Sequence, residues 1–182
     1  MSNSALLVMD IQRSIVERFP SDDGYLPRLR GAIDTARSAG VPVIYVVVGF
    51  RPGHPEISKR NKSFGARIGS GTFVTGDAGA EIHPDVAPAP GDTVVTKRRV
   101  SAFAGSDLDM VLRAGEIDTL VLTGIATSGV VLSTVRQAAD LDYRITVLAD
   151  GCLDSDPEVH RVLTEKVFPR QADIVCVADW RP

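Results

Sequence analysis

Three places in this chain carry residues able to do acid–base or electrostatic chemistry, and each follows an apolar run. Asp10 ends the stretch Ala5-Leu-Leu-Val-Met9, Lys97 ends Thr93-Val-Val-Thr96, and the turn Gly124-Ile-Ala-Thr-Ser-Gly129 follows Thr119–Thr123. A carboxyl group behind a buried strand is partly desolvated, which raises its pKa, and a neighbouring ammonium lowers it again. Such a pair can move a proton and steady developing negative charge. The turn offers a different tool. The first N–H groups of a helix have no internal partner, so they can hold an oxyanion or polarise a carbonyl. On position alone, Asp10 is equally suited to capping the next segment, and Lys97 with Arg98 and Arg99 to forming a solvated basic cluster. On shape alone the turn reads first as an ordinary strand-to-helix connection.

These residues are useful together only if the fold assembles them. Short apolar runs rich in branched residues predict strands at Ala5–Met9, Val43–Val48, Thr93–Thr96, Thr119–Thr123, Arg144–Ala149 and Ile174–Val177. Between them the period changes to that of a helix. Leu26, Leu29, Ile33 and Ala36 share one side of a helix over Leu26–Ala39, stopped by Gly40. Ser106 can cap a helix with Leu108, Val111 and Leu112 inward and Gly115 at its end. Val131, Val135, Ala138 and Ala139 recur at helical spacing after the third motif. Asp156-Pro157 reads as N-cap and first helical residue, with Val159, Val162 and Leu163 as the buried stripe and Pro169 as the stop. Strands alternating with helices predict an α/β protein with a parallel sheet sandwiched between helices. Ligands bind at the carboxyl ends of such strands, where all three motifs lie. The Gly- and Pro-rich segment Gly49–Gly91 breaks the alternation. A connection of that length is either a lid or pocket wall, or a surface excursion or subunit contact.

The 182 residues fit a single domain, 1–182, with one sizeable core. A formal net charge of -3 gives no basic excess and argues against nucleic acid. No apolar run has membrane-spanning length, and the N-terminus lacks the basic and apolar regions of a signal peptide. Cys152 and Cys176 fit neither a disulfide framework nor a CxxC site, which predicts a reduced, cytoplasmic protein. His54, His83 and His160 are isolated from one another, so no metal and no cofactor is expected. His83 and His160 read as surface or capping groups.

Taken together, Ala5-Leu-Leu-Val-Met-Asp-Ile-Gln12, Thr96-Lys-Arg-Arg-Val-Ser-Ala-Phe103 and Thr123-Gly-Ile-Ala-Thr-Ser-Gly-Val-Val-Leu-Ser-Thr134 resemble the isochorismatase-like hydrolases, the cysteine hydrolase superfamily. The likeness extends through Ala149-Asp-Gly-Cys152 and covers nearly the whole chain. It implies a three-layer α/β/α, Rossmann-like sandwich with a six-stranded parallel sheet ordered 3-2-1-4-5-6. It also implies a homo-oligomer, dimer or tetramer, and an active site built from Asp10 and Lys97. A non-proline cis peptide is common in the family's turn and would here fall at Ile125-Ala126, aiming backbone N–H groups into the pocket. In that pocket Phe50, Phe103 and Val130 would form apolar lining, and Gln12, Thr127 and Ser128 would orient polar groups.

The chain departs from the pattern at Val130, where thiol-dependent members place their nucleophilic cysteine. Valine has no nucleophilic atom, so the acyl-enzyme route is closed there, and no base is evident for Thr127 or Ser128. By the same resemblance Cys152 is structural, while Cys176 looks like a buried strand residue. True isochorismatases also lack the cysteine and use the strand-end aspartate as general acid with water. They carry glycine at that position, however, and a different aromatic and histidine pattern, so isochorismate is not identified as the substrate. The nicotinamidase metal site needs an aspartate and paired histidines after the second strand, where this chain has only His54. Two readings follow. One is a hydrolase acting on a small-molecule metabolite through Asp10 and Lys97. The other is a catalytically silent member that binds a small ligand or serves as an oligomeric scaffold.

Overall fold

Apolar runs that alternate with amphipathic helices must bury both faces of a sheet, and the computed structural model, which describes residues 3–19 and 23–182, shows how. The strands are β1 (Ser4–Met9), β2 (Val43–Val48), β3 (Thr93–Lys97), β4 (Thr119–Ile125), β5 (Arg144–Leu153) and β6 (Asp173–Val175). They form one all-parallel sheet in the order β3-β2-β1-β4-β5-β6. The helices are α1 (Arg13–Val16), α2 (Tyr25–Ser38), α3 (Leu108–Ala114), α4 (Leu132–Asp140) and α5 (Pro157–Val162).

Side-chain alternation divides the strand residues between two cores. Ala5, Leu7 and Met9 of β1 pack with Leu108 and Leu112 of α3, Val135 and Ala138 of α4, and Phe168. Leu6 and Val8 pack on the other face with Leu29, Ile33 and Ala36 of α2 and with Trp180. The layers are therefore helix, sheet, helix. Strand order reverses between β1 and β4, and the crevice at that reversal is where open α/β sheets bind ligands.

Several local details differ from the pattern reading, each for a physical reason. β4 does not stop at Thr123 but runs through Gly124 to Ile125. Gly124 adopts φ 149, and a Cβ there would lie 2.5 Å from the Met9 carbonyl oxygen, so glycine lets β4 close on β1. A π-helical turn, Thr127–Val131, then intervenes before α4 begins at Leu132. A second π-helical turn, Leu163–Val167, follows α5 and shifts the phase of its buried stripe. Val159, on α5 ahead of that turn, is exposed and Val162 half-buried, while Thr164 and Phe168 join Leu163 inside. Cys176 falls just beyond β6 and is exposed rather than buried. Ser106 sits one residue before the N-cap position, yet its Oγ still accepts from Leu108 N at 3.3 Å.

The Gly124 contact supplies a direct test. Gly124→Ala should destabilise the protein by about 2–4 kcal/mol in urea unfolding, because both backbone strain and a clash with a strand carbonyl oppose it. Gly40→Ala, also at positive φ but with open space around it, should cost clearly less.

Candidate active site

The site begins with a strand that stops. Asp10 N still donates to Val46 O at 2.8 Å, as if continuing β1, but Asp10 then turns to φ 58, a conformation that Asp tolerates better than most residues. Lys97 is the last residue of β3 and pairs in register with Val48 of β2. Two strand spacings, roughly 9–10 Å, separate β1 from β3. The Lys97 side chain spans that gap across the end of β2, bringing Nζ to 2.9 Å from Asp10 Oδ2. Nζ also donates to Arg99 O at 3.0 Å. Both side chains are almost wholly buried, Lys97 at 2% and Asp10 at 9% exposure.

The electrostatics follow from that burial. Desolvation pushes the Asp10 carboxyl above its usual range, opposed by the Lys97 charge, the Lys97 hydrogen bond and the Val48 backbone. Asp10 Oδ1 is buried and has no hydrogen-bond partner among the described residues. The pair thus presents one occupied and one free carboxylate oxygen, beside a fixed ammonium, in a low-dielectric corner. That arrangement suits proton transfer coupled to charge stabilisation.

The turn after β4 forms the opposite wall. Met9 pairs in register with Gly124, so Asp10 and Ile125 leave adjacent strand ends. The Ile125-Ala126 peptide is cis. Val130 packs in the same core cluster as Met9 and Phe103 and is only 2% exposed. Ala102 N donates to Thr134 Oγ1 on α4 at 3.0 Å, and Ser101 Oγ donates to Gln137 Oε1 at 2.7 Å. These bonds fasten the loop that follows Lys97 against α4.

Other expected pocket residues are placed differently. Gln12 is fully buried, and its amide is committed to backbone. Nε2 donates to Val48 O at 3.0 Å and to Ala80 O at 2.7 Å, while Oε1 accepts from Val48 N at 2.9 Å. It ties the long segment to β2, leaving little capacity to orient a ligand. Phe50 belongs to a separate small core with Val48, Ile57 and Phe73 and packs edge-on against Phe64. Thr127 is fully buried with its hydroxyl 2.8 Å from His160 Nδ1, and Ser128 is exposed while its N–H donates to Asp154 Oδ2 at 2.6 Å. Asp154 escaped pattern reading, and His160, read as a surface or capping group, is instead half-buried against Thr127. Their only sequence signal is that both lie in the polar stretch after β5, beside the Asp156 cap.

The segment between β2 and β3 folds over this end of the sheet. It contains three single-turn 3-10 helices, Gly65–Arg67, Ala78–Ala80 and Pro84–Val86. Glu56 fastens it: Arg51 Nη1 lies 2.9 Å and Arg98 Nε 3.5 Å from Oε1, and Arg99 Nη2 donates to Glu56 O at 2.8 Å. His54 is buried in it, with Nε2 2.9 Å from Thr72 O. Beneath it lies a cavity of about 240 Å³ lined by Gln12, Val48, Phe50, Phe73, Thr96 and Arg98. Thr96 and Lys97 face opposite sides of β3, so this cavity adjoins the ion pair without containing it. A cavity of about 560 Å³ lies at the amino ends of the strands, against Ser4, Thr119, Asp173 and Trp180, remote from Asp10. Among the described residues no group of three or more His, Cys, Asp or Glu side chains is arranged to hold a metal ion, and no helix is long and apolar enough to cross a membrane.

Comparison with known proteins agrees with this geometry. Residues 4–179 match the isochorismatase domain family. The chain belongs to the isochorismatase family. It is 34% identical over 169 residues to the uncharacterized isochorismatase family protein YwoC of Bacillus subtilis, covering 92% of this chain and 86% of that one. It is 34% identical over 183 residues to the ureidoacrylate amidohydrolase RutB of Stutzerimonas stutzeri, covering 86% and 72% respectively. Among solved structures, N-carbamoylsarcosine amidase from Thermoplasma acidophilum superposes with a TM-score of 0.80 at 31% identity, covering 100% of both chains. This isochorismatase family chain is thus similar to hydrolases of small molecules, and its strand order is the one the family resemblance implied.

Removing one member of a buried ion pair strands the other. Lys97→Met should therefore lower stability at neutral pH by about 3–5 kcal/mol in denaturant unfolding. The double variant Asp10→Asn with Lys97→Met should recover most of that loss, because no unpaired charge remains. Additive losses in the double variant would mean that the two groups do not depend on each other.

Proposed function

We propose that this chain, as a single isochorismatase-like domain, hydrolyses a small-molecule metabolite without a cysteine nucleophile. Asp10 manages the proton and Lys97 stabilises developing negative charge. The observation that carries the reading is the buried Asp10–Lys97 pair at the switch-point crevice, with Asp10 Oδ1 unpartnered and free to take a proton from an attacking water. The resemblance puts Val130 at the nucleophile position, and its side chain has no atom able to attack. Neither cysteine is suited to replace it. Cys152 is buried in β5 beside Gly124, and burial pushes its thiol up to about 12, far from a thiolate at neutral pH. Cys176 follows β6 at the far edge of the sheet. In this reading water takes the nucleophile's part, and the first turn after β4 polarises the group attacked.

The similar proteins are named for acting on ureidoacrylate and on N-carbamoylsarcosine, so ureido and N-carbamoyl compounds are the first substrate class to test. One observation favours a second reading, a silent ligand-binding or scaffolding member: Lys97, Thr127 and Val130 are each at most 2% exposed, which leaves this corner tightly filled. We place the working form as a homo-oligomer, dimer or tetramer, with the Gly49–Gly91 segment as the contributing surface. Light scattering checks that.

A panel of ureido, amide, ester and enol-ether compounds decides between the readings. The hydrolase reading expects turnover that drops about a hundredfold or more in Asp10→Asn and Lys97→Met, assayed where both remain folded. Unchanged turnover in both variants overturns the Asp10–Lys97 reading, and no turnover on any compound while a metabolite raises the melting temperature favours the silent member. The pH profile gives an independent sign. A base must be ionised, so activity should rise with pH along a limb lying above the usual carboxylate range, as burial dictates. Lys97→Met removes the charge that lowers the Asp10 pKa, so the limb should move to higher pH.

A second experiment probes position 130. Val130→Cys should create a thiol beside Asp10 and Lys97 that iodoacetamide labels faster than Cys152 or the exposed Cys176. Equal or slower labelling would show that the turn does not present that side chain to the pair.

A further inference from the structure

The turn after β4 is built from small residues and wound as a π-helical turn, whose hydrogen bonds constrain it loosely. Val131 N reaches Ala126 O at a long 3.3 Å. Yet two successive residues of the turn are gripped from outside. Ser128 N donates to Asp154 Oδ2 at 2.6 Å, a short bond of the charge-assisted kind. Thr127 Oγ1 lies 2.8 Å from His160 Nδ1. The grips come from one continuous piece of chain, the end of β5 and the start of α5. That piece is itself braced: Asp154 Oδ1 accepts from Asp156 N at 3.4 Å, and Thr164 Oγ1 donates to His160 O at 2.9 Å.

Protonation supports the geometry. Burial would raise the Asp154 carboxyl, but its hydrogen bonds from Ser128, Asp156 and Ser155 outweigh that and hold it below the usual range. Burial lowers the His160 imidazole, with the Asp154 charge opposing. A neutral ring can take the Thr127 hydroxyl proton at Nδ1 and carry its own proton on Nε2.

A hydroxyl, an imidazole and a carboxylate in proximity have the parts of a nucleophile with its base. One fact speaks against that role here. The Asp154 carboxylate is spent on backbone N–H groups and does not orient the imidazole.

We infer that Asp154 and His160 are positioning residues, which act through Ser128 and Thr127 to fix the turn Ala126–Val131 against the end of β1. They set where its backbone N–H groups and the side chain at position 130 stand relative to Asp10 and Lys97. This does not rest on hydrolysis, because a silent ligand-binding member would need the same wall.

The test is NMR of the isotopically labelled full chain with paired variants. His160 should show the Nε2–H tautomer, its ring signals shifting in Thr127→Val but not in Thr127→Ser. The Ser128 amide proton should resonate far downfield and move upfield in Asp154→Asn. Amide exchange across residues 126–131 should quicken about tenfold or more in His160→Ala and in Thr127→Val. It should return towards the parent in His160→Asn, whose side-chain amide reaches the place of Nδ1, and in Thr127→Ser. In the Val130→Cys background, His160→Ala should change the iodoacetamide rate about fivefold or more, and His160→Asn should restore it. Unchanged exchange, or equal loss in the conservative and disruptive variants, overturns the inference by reducing these residues to packing. If His160→Ala does not fold, Thr127→Val, which exchanges the hydroxyl for a methyl, set against Thr127→Ser, which keeps the hydroxyl and loses the methyl, makes the same comparison. Failure of Val130→Cys to label in the parent counts against the hydrolase geometry, while the exchange measurements still decide this inference.

Discussion

The interaction on which the rest depends is a buried ion pair stretched over a strand. Withdrawing a carboxylate and an ammonium from water costs several kcal/mol per ion, and mutual attraction seldom returns a surplus. A hydrocarbon pair of similar size would serve the fold as well. What distinguishes Asp10 and Lys97 is where they meet, beside the reversal of strand order, after chain segments 87 residues apart have been brought to strand ends two places apart in the sheet. The left-handed turn at Asp10 belongs to the same arrangement, since an ordinary strand exit would carry the carboxylate away from β3.

Around that pair the two walls of the crevice are secured by different means. On the β2–β3 side the long connection is bound by Glu56 to three arginines and by Gln12 to two separate backbones. On the β4–β5 side a turn with few side chains to pack is held through its own hydroxyl and N–H. Gly124 makes the junction possible by letting β4 close on β1 where any Cβ would meet a carbonyl. A site assembled from strand ends needs both walls fixed, because small displacements separate groups that must act on one atom.

How much of this was legible in the sequence depended on whether the signal was local. Strand positions announce themselves as apolar runs, and a charged residue at the end of such a run is conspicuous, so Asp10 and Lys97 could be read directly. The strand order and the oligomeric expectation came from resemblance, since no local feature encodes which strand lies beside which. The commitment of the Gln12 amide is not legible, because its partners, Val48 and Ala80, are backbone groups far along the chain. Asp154 and the Thr127 bond of His160 are not legible, because a polar stretch before a helix already has a sufficient explanation in the Asp156 cap and His160 reads as a surface or capping group. The apolar spacing points Val159 inward, yet it is exposed on α5, and the buried residues continue as Thr164 and Phe168 across the π-helical turn Leu163–Val167. Pattern reading succeeds where burial dictates residue type and fails where hydrogen bonds between distant segments do.

Val130 changes the meaning of the ion pair more than its presence. A thiol in that position would give the Asp10 carboxylate a local proton to manage and would itself be polar enough to solvate the pair. Hydrocarbon does neither. Burial already raises the Asp10 carboxyl above its usual range, and in the proposed reading a hydrocarbon at position 130 would do nothing to reverse that. Lys97 opposes that drift and keeps the carboxylate from settling permanently into its neutral form. The balance between a hydrocarbon wall and a fixed ammonium would therefore set the proton affinity of this corner. A nucleophile that enters from solution, unlike one anchored to the chain, needs a base with just such an affinity. In the proposed reading the proton acceptor is kept and the attacking atom comes from solution.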